Sequence, residues 1–325
     1  MKACALSRDT IKKVKKTTKL SNLIVNFITL VVAYGLVQGL NYMSKLGGYL
    51  HLMRPANCLM MGFAVVVGAA LADPNSLSIF WQGLTYGFIT GFMLTAASMA
   101  INDYYDREID AVNEPKRPIP SGLIKPKEAL AFAFTITVTG FAAAYLTSIS
   151  CFVIAVIAWI VFVTYTTFGK RSGLPGNLLV STCVATPFIY GSLAMVNEVE
   201  LNVLIFVSIV FLSNTGREIT KGIVDVKGDT TQNVKTFAVR YGDKTAAIAA
   251  ALFYLSAVLL SPIPWLLTLV SFWFIPFVAI TDFGLLVSSF VLLKDCSREN
   301  ARKVKNVVLI WFVVGLLAFV VGAFG

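Results

Sequence analysis

Asn102, Asp103, Asp106 and Asp110 fall within one short segment, Ala100-Ile101-Asn102-Asp103-Tyr104-Tyr105-Asp106-Arg107-Glu108-Ile109-Asp110. If that segment is helical, Asn102, Asp106 and Asp110 recur at i, i+4 and i+8 and Asp103 lies one position away, so three carboxylates and an amide share one face. A second cluster, Gly216-Arg217-Glu218-Ile219-Thr220-Lys221 leading to Asp225 and Asp229, behaves alike: Glu218, Lys221, Asp225 and Asp229 share a helical face. Carboxylates packed so closely repel one another unless a cation sits between them. Oxygen-only ligand sets favour hard ions such as Mg²⁺, which takes one or two carboxylates and completes its shell with substrate phosphate oxygens. A diphosphate is the natural third party. Arg54, Arg117, Lys170, Arg171, Arg217 and Lys221 are the cations available for the remaining phosphate charge.

The elements that carry these residues are dictated by composition. Of the 325 residues, 57% are apolar and 14% charged, and mean hydropathy is +0.77, which marks an integral membrane protein. The net charge of +10 does not indicate a nucleic-acid partner, because the basic residues sit between apolar stretches. The five cysteines are scattered without C-x-x-C spacing and support neither a disulfide framework nor a zinc site. Apolar runs lie at 23–43, 46–72, 79–101, 127–147, 150–168, 177–195, 201–213, 245–260, 264–293 and 304–324. The run at 201–213 is short and is expected to continue as helix into Lys221. That at 264–293 carries Pro276 and Asp282 and reads as one tilted or kinked helix.

Lys and Arg number two in 44–55, five in 102–127, two in 169–176, six in 214–245 and five in 294–305, whereas the loops at 73–78, 148–150, 196–200 and 261–263 have none. Basic and bare connections thus alternate through nine helices from residue 44 onward, placing both acidic clusters on one side, the cytoplasmic one by the positive-inside bias. The run at 23–43 breaks the alternation, because seven basic residues precede it in 1–22. It is expected to lie along the interface or return to its own side, so 1–43 forms an N-terminal accretion on a 44–325 membrane domain. His51 reads as an interfacial residue and Asp282 as a packing or tail-cavity residue.

The stretch Asn102-Asp103-x-x-Asp106-x-x-x-Asp110, with Asn113-x-Pro115-x-Arg117-Pro118 downstream, resembles the first aspartate-rich motif of the UbiA superfamily of intramembrane prenyltransferases, and Asp225-x-x-x-Asp229 resembles its second. The motifs end the second and sixth of nine helices, as in that family, and the resemblance covers residues 44–325. Arg54-Pro55-x-Asn57-Cys58-Leu59, the segment Gly169 to Asn177, and Gly216-Arg217-Glu218-Ile219-x-Lys221 most resemble the archaeal branch that joins geranylgeranyl diphosphate to geranylgeranylglyceryl phosphate.

The resemblance implies an all-α polytopic membrane protein with a nine-helix bundle and Mg²⁺ as cofactor. It places the ion on Asn102, Asp106, Asp110, Asp225 and Asp229, with Asp103 ligating or orienting the others. Lys170 and Arg117 would neutralise the departing diphosphate, and Arg54, Arg217 and Lys221 would meet the acceptor's phosphate. Asn57, Arg171, Asn177, Glu218 and Tyr165 complete the implied substrate-binding set, and the lipid bilayer delivers both tails. An aromatic prenyltransferase of quinone synthesis shares the acidic motifs and is the nearest alternative. A cation-coupled transporter should carry its acidic groups near the midplane rather than at one face. A CDP-alcohol phosphatidyltransferase expects D-x-x-D-G-x-x-A-R, and Arg107 stands where that glycine belongs.

Overall fold

The computed structural model describes residues 44–231 and 234–324, so the 23–43 run and Cys4 lie outside the described residues. These residues form helices α1 (Lys45–Met53), α2 (Pro55–Ala72), α3 (Trp81–Tyr105), α4 (Arg107–Asn113), α5 (Pro126–Thr147) and α6 (Ile149–Thr167). A 3-10 turn (Gly169–Arg171) leads to α7 (Leu174–Val196), α8 (Leu201–Thr231), α9 (Phe237–Tyr241), α10 (Asp243–Leu260), α11 (Ile263–Leu266), α12 (Phe274–Lys294) and α13 (Arg298–Phe324). Among the described residues there is no strand, and nine helices are long and apolar enough to cross a membrane. The chain is a multi-pass membrane protein.

Three departures from the sequence pattern shape the site. The 46–72 run is two helices, because Arg54 between α1 and α2 adopts a left-handed φ of 50°. Pro55 explains the break, since the residue before a proline is driven out of the right-handed helical region. The 201–213 run continues as helix through Lys221, as expected, and beyond it to Thr231, so α8 has 31 residues and carries the whole second acidic cluster. The 264–293 run divides into α11 and α12 instead of forming one kinked helix.

Small residues let the helices approach. A Cβ on Gly68 would lie 2.6 Å from the Phe188 Cα, and one on Gly191 would lie 2.6 Å from the Ala69 backbone nitrogen, so α2 and α7 meet backbone to backbone. Two cores then hold the acidic clusters. Leu52, Ala100, Ile119, Ile124, Ala129 and Ala133 lock α1, α3, α5 and the 114–125 loop together beneath the first. Ile219, Ile223 and Val224 pack with Tyr254, Ala301, Val304 and Val308, which ties α8 to α10 and α13 beneath the second.

Candidate active site

The first acidic face survives the end of α3. The Asp106 N–H donates to the Asn102 carbonyl at 2.9 Å, the Asp110 N–H to Asp106 at 2.8 Å and the Glu114 N–H to Asp110 at 2.8 Å, so helical register runs from α3 through the Asp106 turn into α4. Asn102 accepts a 3.3 Å hydrogen bond at Oδ1 from the Thr166 hydroxyl of α6.

Asp103 points elsewhere. Its side chain is 4% exposed, and its Oδ1 meets Arg54 Nη2 at 2.6 Å and Arg117 Nη1 at 3.6 Å. Arg117 Nη1 also binds Asp110 Oδ2 at 2.6 Å. The left-handed turn at Arg54 aims its guanidinium back toward α3, where Nη1 also lies 3.6 Å from the Met99 sulfur. His51 lies within electrostatic reach of the same carboxylate and both arginines. Burial, the largest influence, pushes its imidazole below the usual value of 6.5; the Asp103 charge opposes this, and Arg54 and Arg117 add to it. His51 also lines an open cavity of about 570 Å³ with Lys116, Pro118, Ser121, Gly122 and Leu123.

The second cluster repeats the arrangement. Glu218 Oε1 binds Arg217 Nη1 at 3.0 Å, and its Oε2 lies 3.5 Å from Lys221 Nζ. Asp225 is within electrostatic reach of Lys221, one turn further along α8. The Asp229 carbonyl accepts from the Val234 N–H at 2.9 Å where the chain leaves α8. Tyr165 on α6 joins the halves, lying within electrostatic reach of Asp106 on one side and of Glu218 and Lys221 on the other. The two acidic helix ends therefore face a common space.

Of the other residues singled out in the sequence, Asn57 directs Nδ2 toward the Met99 sulfur at 3.9 Å, in the first turn of α2. Asn177 stands in the first turn of α7; its N–H donates to the Gly173 carbonyl at 3.2 Å, and its carbonyl accepts from the Ser181 hydroxyl at 2.9 Å. Arg171 is exposed in the 3-10 turn, and the Lys170 side chain lies outside the described part of that turn. Asp282 accepts a 2.6 Å hydrogen bond from Ser261, a tie between the end of α10 and α12 that serves packing.

Lys305 was not singled out by the sequence, where it counts only as a loop charge. Helix α13 begins at Arg298, before the apolar run at 304–324, and Ala301, Val304 and Val308 turn one face onto α8. Lys305 rides beside that face, within electrostatic reach of Asp225, Arg217 and Lys221. The Arg298 Nε, donating to the Val224 carbonyl at 2.9 Å, pins the start of the helix.

Among the described residues, no three His, Cys, Asp or Glu side chains come together as a metal cage. Asp103 and Asp110 are paired with arginine. Asp106 stands at one acidic helix end and Asp225 and Asp229 at the other, so the oxygen donors are split between helices. Such a set suits Mg²⁺, which needs few carboxylates when a substrate supplies phosphate oxygens. Between α7 and α8, Thr182, Ala185, Ile189, Val207, Phe211 and Leu212 line a groove of about 350 Å³, mostly apolar.

Comparison with known proteins gives the family and the fold. The UbiA prenyltransferase family matches residues 61–324. The digeranylgeranylglyceryl phosphate synthase of Archaeoglobus fulgidus is 38% identical over 279 residues, covering 84% of this chain and 94% of its own length. A solved structure of digeranylgeranylglyceryl phosphate synthase superposes with a TM-score of 0.76 at 32% identity, covering 86% of this chain and 99% of that one. A UbiA homologue from Archaeoglobus fulgidus bound to GPP and Mg²⁺ shares the fold, with a TM-score of 0.62 at 18% identity and coverage of 84% and 99%.

Proposed function

Because the chain belongs to the UbiA prenyltransferase family, we propose that it transfers a geranylgeranyl group from geranylgeranyl diphosphate to geranylgeranylglyceryl phosphate, forming the second ether bond of an archaeal membrane lipid. The observation that carries this reading is the meeting of two acidic helix ends across Tyr165, each with a carboxylate that holds a pair of cations. A site that binds two phosphate-bearing amphiphiles needs both features.

In this reading Asn102, Asp106, Asp225 and Asp229 hold Mg²⁺, with Asp110 at the edge of the set because Arg117 engages it. The bound ion supplies charge stabilisation to the diphosphate as it leaves. Arg217 and Lys221, oriented by Glu218, neutralise the diphosphate oxygens, with Lys170 a further cation for the same charge. The C1–O bond of the allylic donor breaks, the acceptor's glycerol oxygen bonds to C1, and its proton is released with the diphosphate. A cation this electrophilic requires little base assistance, so the main tasks of the chain are alignment and exclusion of water. The groove between α7 and α8 ends at Phe211 and Leu212, about two helical turns before Glu218, and suits a prenyl tail. The basic loops beside this face support a cytoplasmic orientation for it in this reading.

The test is a lipid-reconstituted assay with Mg²⁺, labelled geranylgeranyl diphosphate, and geranylgeranylglyceryl phosphate and 4-hydroxybenzoate as competing acceptors, run beside Asp106→Asn and Asp225→Asn. The expected product is a phosphorylated diether that both variants lose. A prenylated aromatic would move the chain to quinone synthesis. Absence of any metal-dependent product, with the variants unchanged, would refute the enzyme.

A further inference from the structure

We infer that Asp103 is a positioning residue that ligates no metal and instead holds Arg54 and Arg117 as a preformed fork for the phosphate monoester of the acceptor. The inference rests on the function proposed above and assigns the acceptor's head to one of its two cationic clusters.

Three observations separate Asp103 from its acidic neighbours. It stands one residue off the Asn102, Asp106 and Asp110 face, about 100° around the helix. Its Oδ1 is occupied by two guanidiniums at 2.6 and 3.6 Å, while its Oδ2 is buried with no described partner. A divalent cation at that oxygen would sit beside two fixed positive charges, which is unfavourable at any effective dielectric of a protein interior. The carboxylate therefore belongs to the arginines.

The arginines in turn are oriented rather than consumed. Arg117 reaches both Asp103 and Asp110 through the single nitrogen Nη1, and no described hydrogen bond uses its Nη2 or Nε. The Arg54 and Arg117 side chains are 34% and 29% exposed, and Arg54 is held at both ends of its fork, Nη2 by Asp103 and Nη1 beside the Met99 sulfur. The adjacent cavity carries Lys116, His51 and the Ser121 hydroxyl. Arg54, Arg117 and Lys116 against Asp103 and Asp110 leave one net positive charge to receive a phosphate. The diphosphate has its own clamp in Glu218, Arg217 and Lys221, beside Asp225 and across Tyr165 from Asp106.

The experiment compares wild type, Asp103→Asn, Arg54→Lys and Asp106→Asn in detergent micelles. Initial rates give KM for each substrate and the Mg²⁺ concentration at half-maximal rate. Thermal unfolding in EDTA, with geranylgeranylglyceryl phosphate or its dephosphorylated counterpart, reports acceptor binding without metal or turnover. Asp103→Asn and Arg54→Lys are expected to raise the acceptor KM roughly tenfold, with the Mg²⁺ requirement and donor KM within about twofold of wild type, and to lose the stabilisation that only the phosphorylated acceptor gives. Asp106→Asn is expected to shift the Mg²⁺ requirement and keep that stabilisation. An Asp103→Asn enzyme that needs more Mg²⁺ with an unchanged acceptor KM overturns the inference. If Asp103→Asn does not fold, Arg54→Lys decides, and an unchanged acceptor KM there overturns it equally. Wild type that neither binds nor prenylates the phosphorylated acceptor instead refutes the proposed function.

Discussion

Replacing Gly191 by alanine probes the contact that holds the two halves of the site in register. The added Cβ would lie against the Val65 carbonyl oxygen and 2.6 Å from the Ala69 backbone nitrogen, whereas ordinary contact begins at 3.4 Å. Neither obstacle is a side chain that rotates away. Helices α2 and α7 must part by at least 0.8 Å, the shift the Ala69 nitrogen alone demands, and a gap of that size forfeits roughly a quarter to a half of each contact across the interface. Overpacking of this kind costs about 1–3 kcal/mol, and the backbone on both sides puts Gly191→Ala at the upper end. Gly68→Ala meets the Phe188 backbone in the same interface. Once either substitution has separated the helices, the other finds room, so the double variant should cost less than the sum of the singles. Gly83, where an added Cβ would meet nothing within 4 Å, is the control, and alanine there should stabilise α3 by roughly 0.5–1 kcal/mol. Thermal unfolding in one detergent reads all four variants. A Gly191→Ala protein as stable as wild type, or a strictly additive pair, would show that α2 and α7 do not meet through these glycines.

Three further outcomes are expected. Lys305→Gln should raise the KM for the diphosphate donor about tenfold while Lys305→Arg stays close to wild type, measured by initial rates, because the side chain lies beside Arg217, Lys221 and Asp225. The lowered His51 value predicts a pH-dependent stability: the native state disfavours the imidazolium, so stability is full above the ordinary value of 6.5 and is lost as pH falls from there through the lowered one. Melting curves across that window should flatten in His51→Gln; an unchanged profile would exclude His51 as the source. Ser261→Ala removes the 2.6 Å bond to Asp282 and should cost about 1–3 kcal/mol in thermal unfolding, with prenyl transfer retained.

Much of the site was legible because its information is local. The i, i+4, i+8 pattern of Asn102, Asp106 and Asp110 survives the Asp106 turn, and Glu218, Lys221, Asp225 and Asp229 do share one helix. The sequence grouped Asp103 with Asn102, Asp106 and Asp110 on one face, whereas its carboxylate turns to Arg54, 49 residues away, and no spacing encodes that pairing. The break at Arg54 had a local signal in Pro55, which apolar continuity from 46 to 72 obscured. Lys305 was hidden by the same bias: hydropathy starts the last helix at its apolar part, while the backbone turns helical at Arg298 and carries its polar first turns toward the site. The continuation of α8 past its apolar run was expected as far as Lys221 and is longer, reaching Thr231, with Ile219, Ile223 and Val224 packed against α10 and α13 on the way.

The shared side of the two acidic helix ends has a consequence for the membrane itself. With the groups proposed to bind phosphate gathered at one face, substrates would arrive from a single leaflet and the product would return to it, its charged head never crossing hydrocarbon. Each turnover replaces two single-chain amphiphiles by one double-chain lipid in that leaflet alone. The opposite leaflet can grow only if some other agent moves finished lipid across, so synthesis by this architecture generates an area imbalance as directly as it generates lipid.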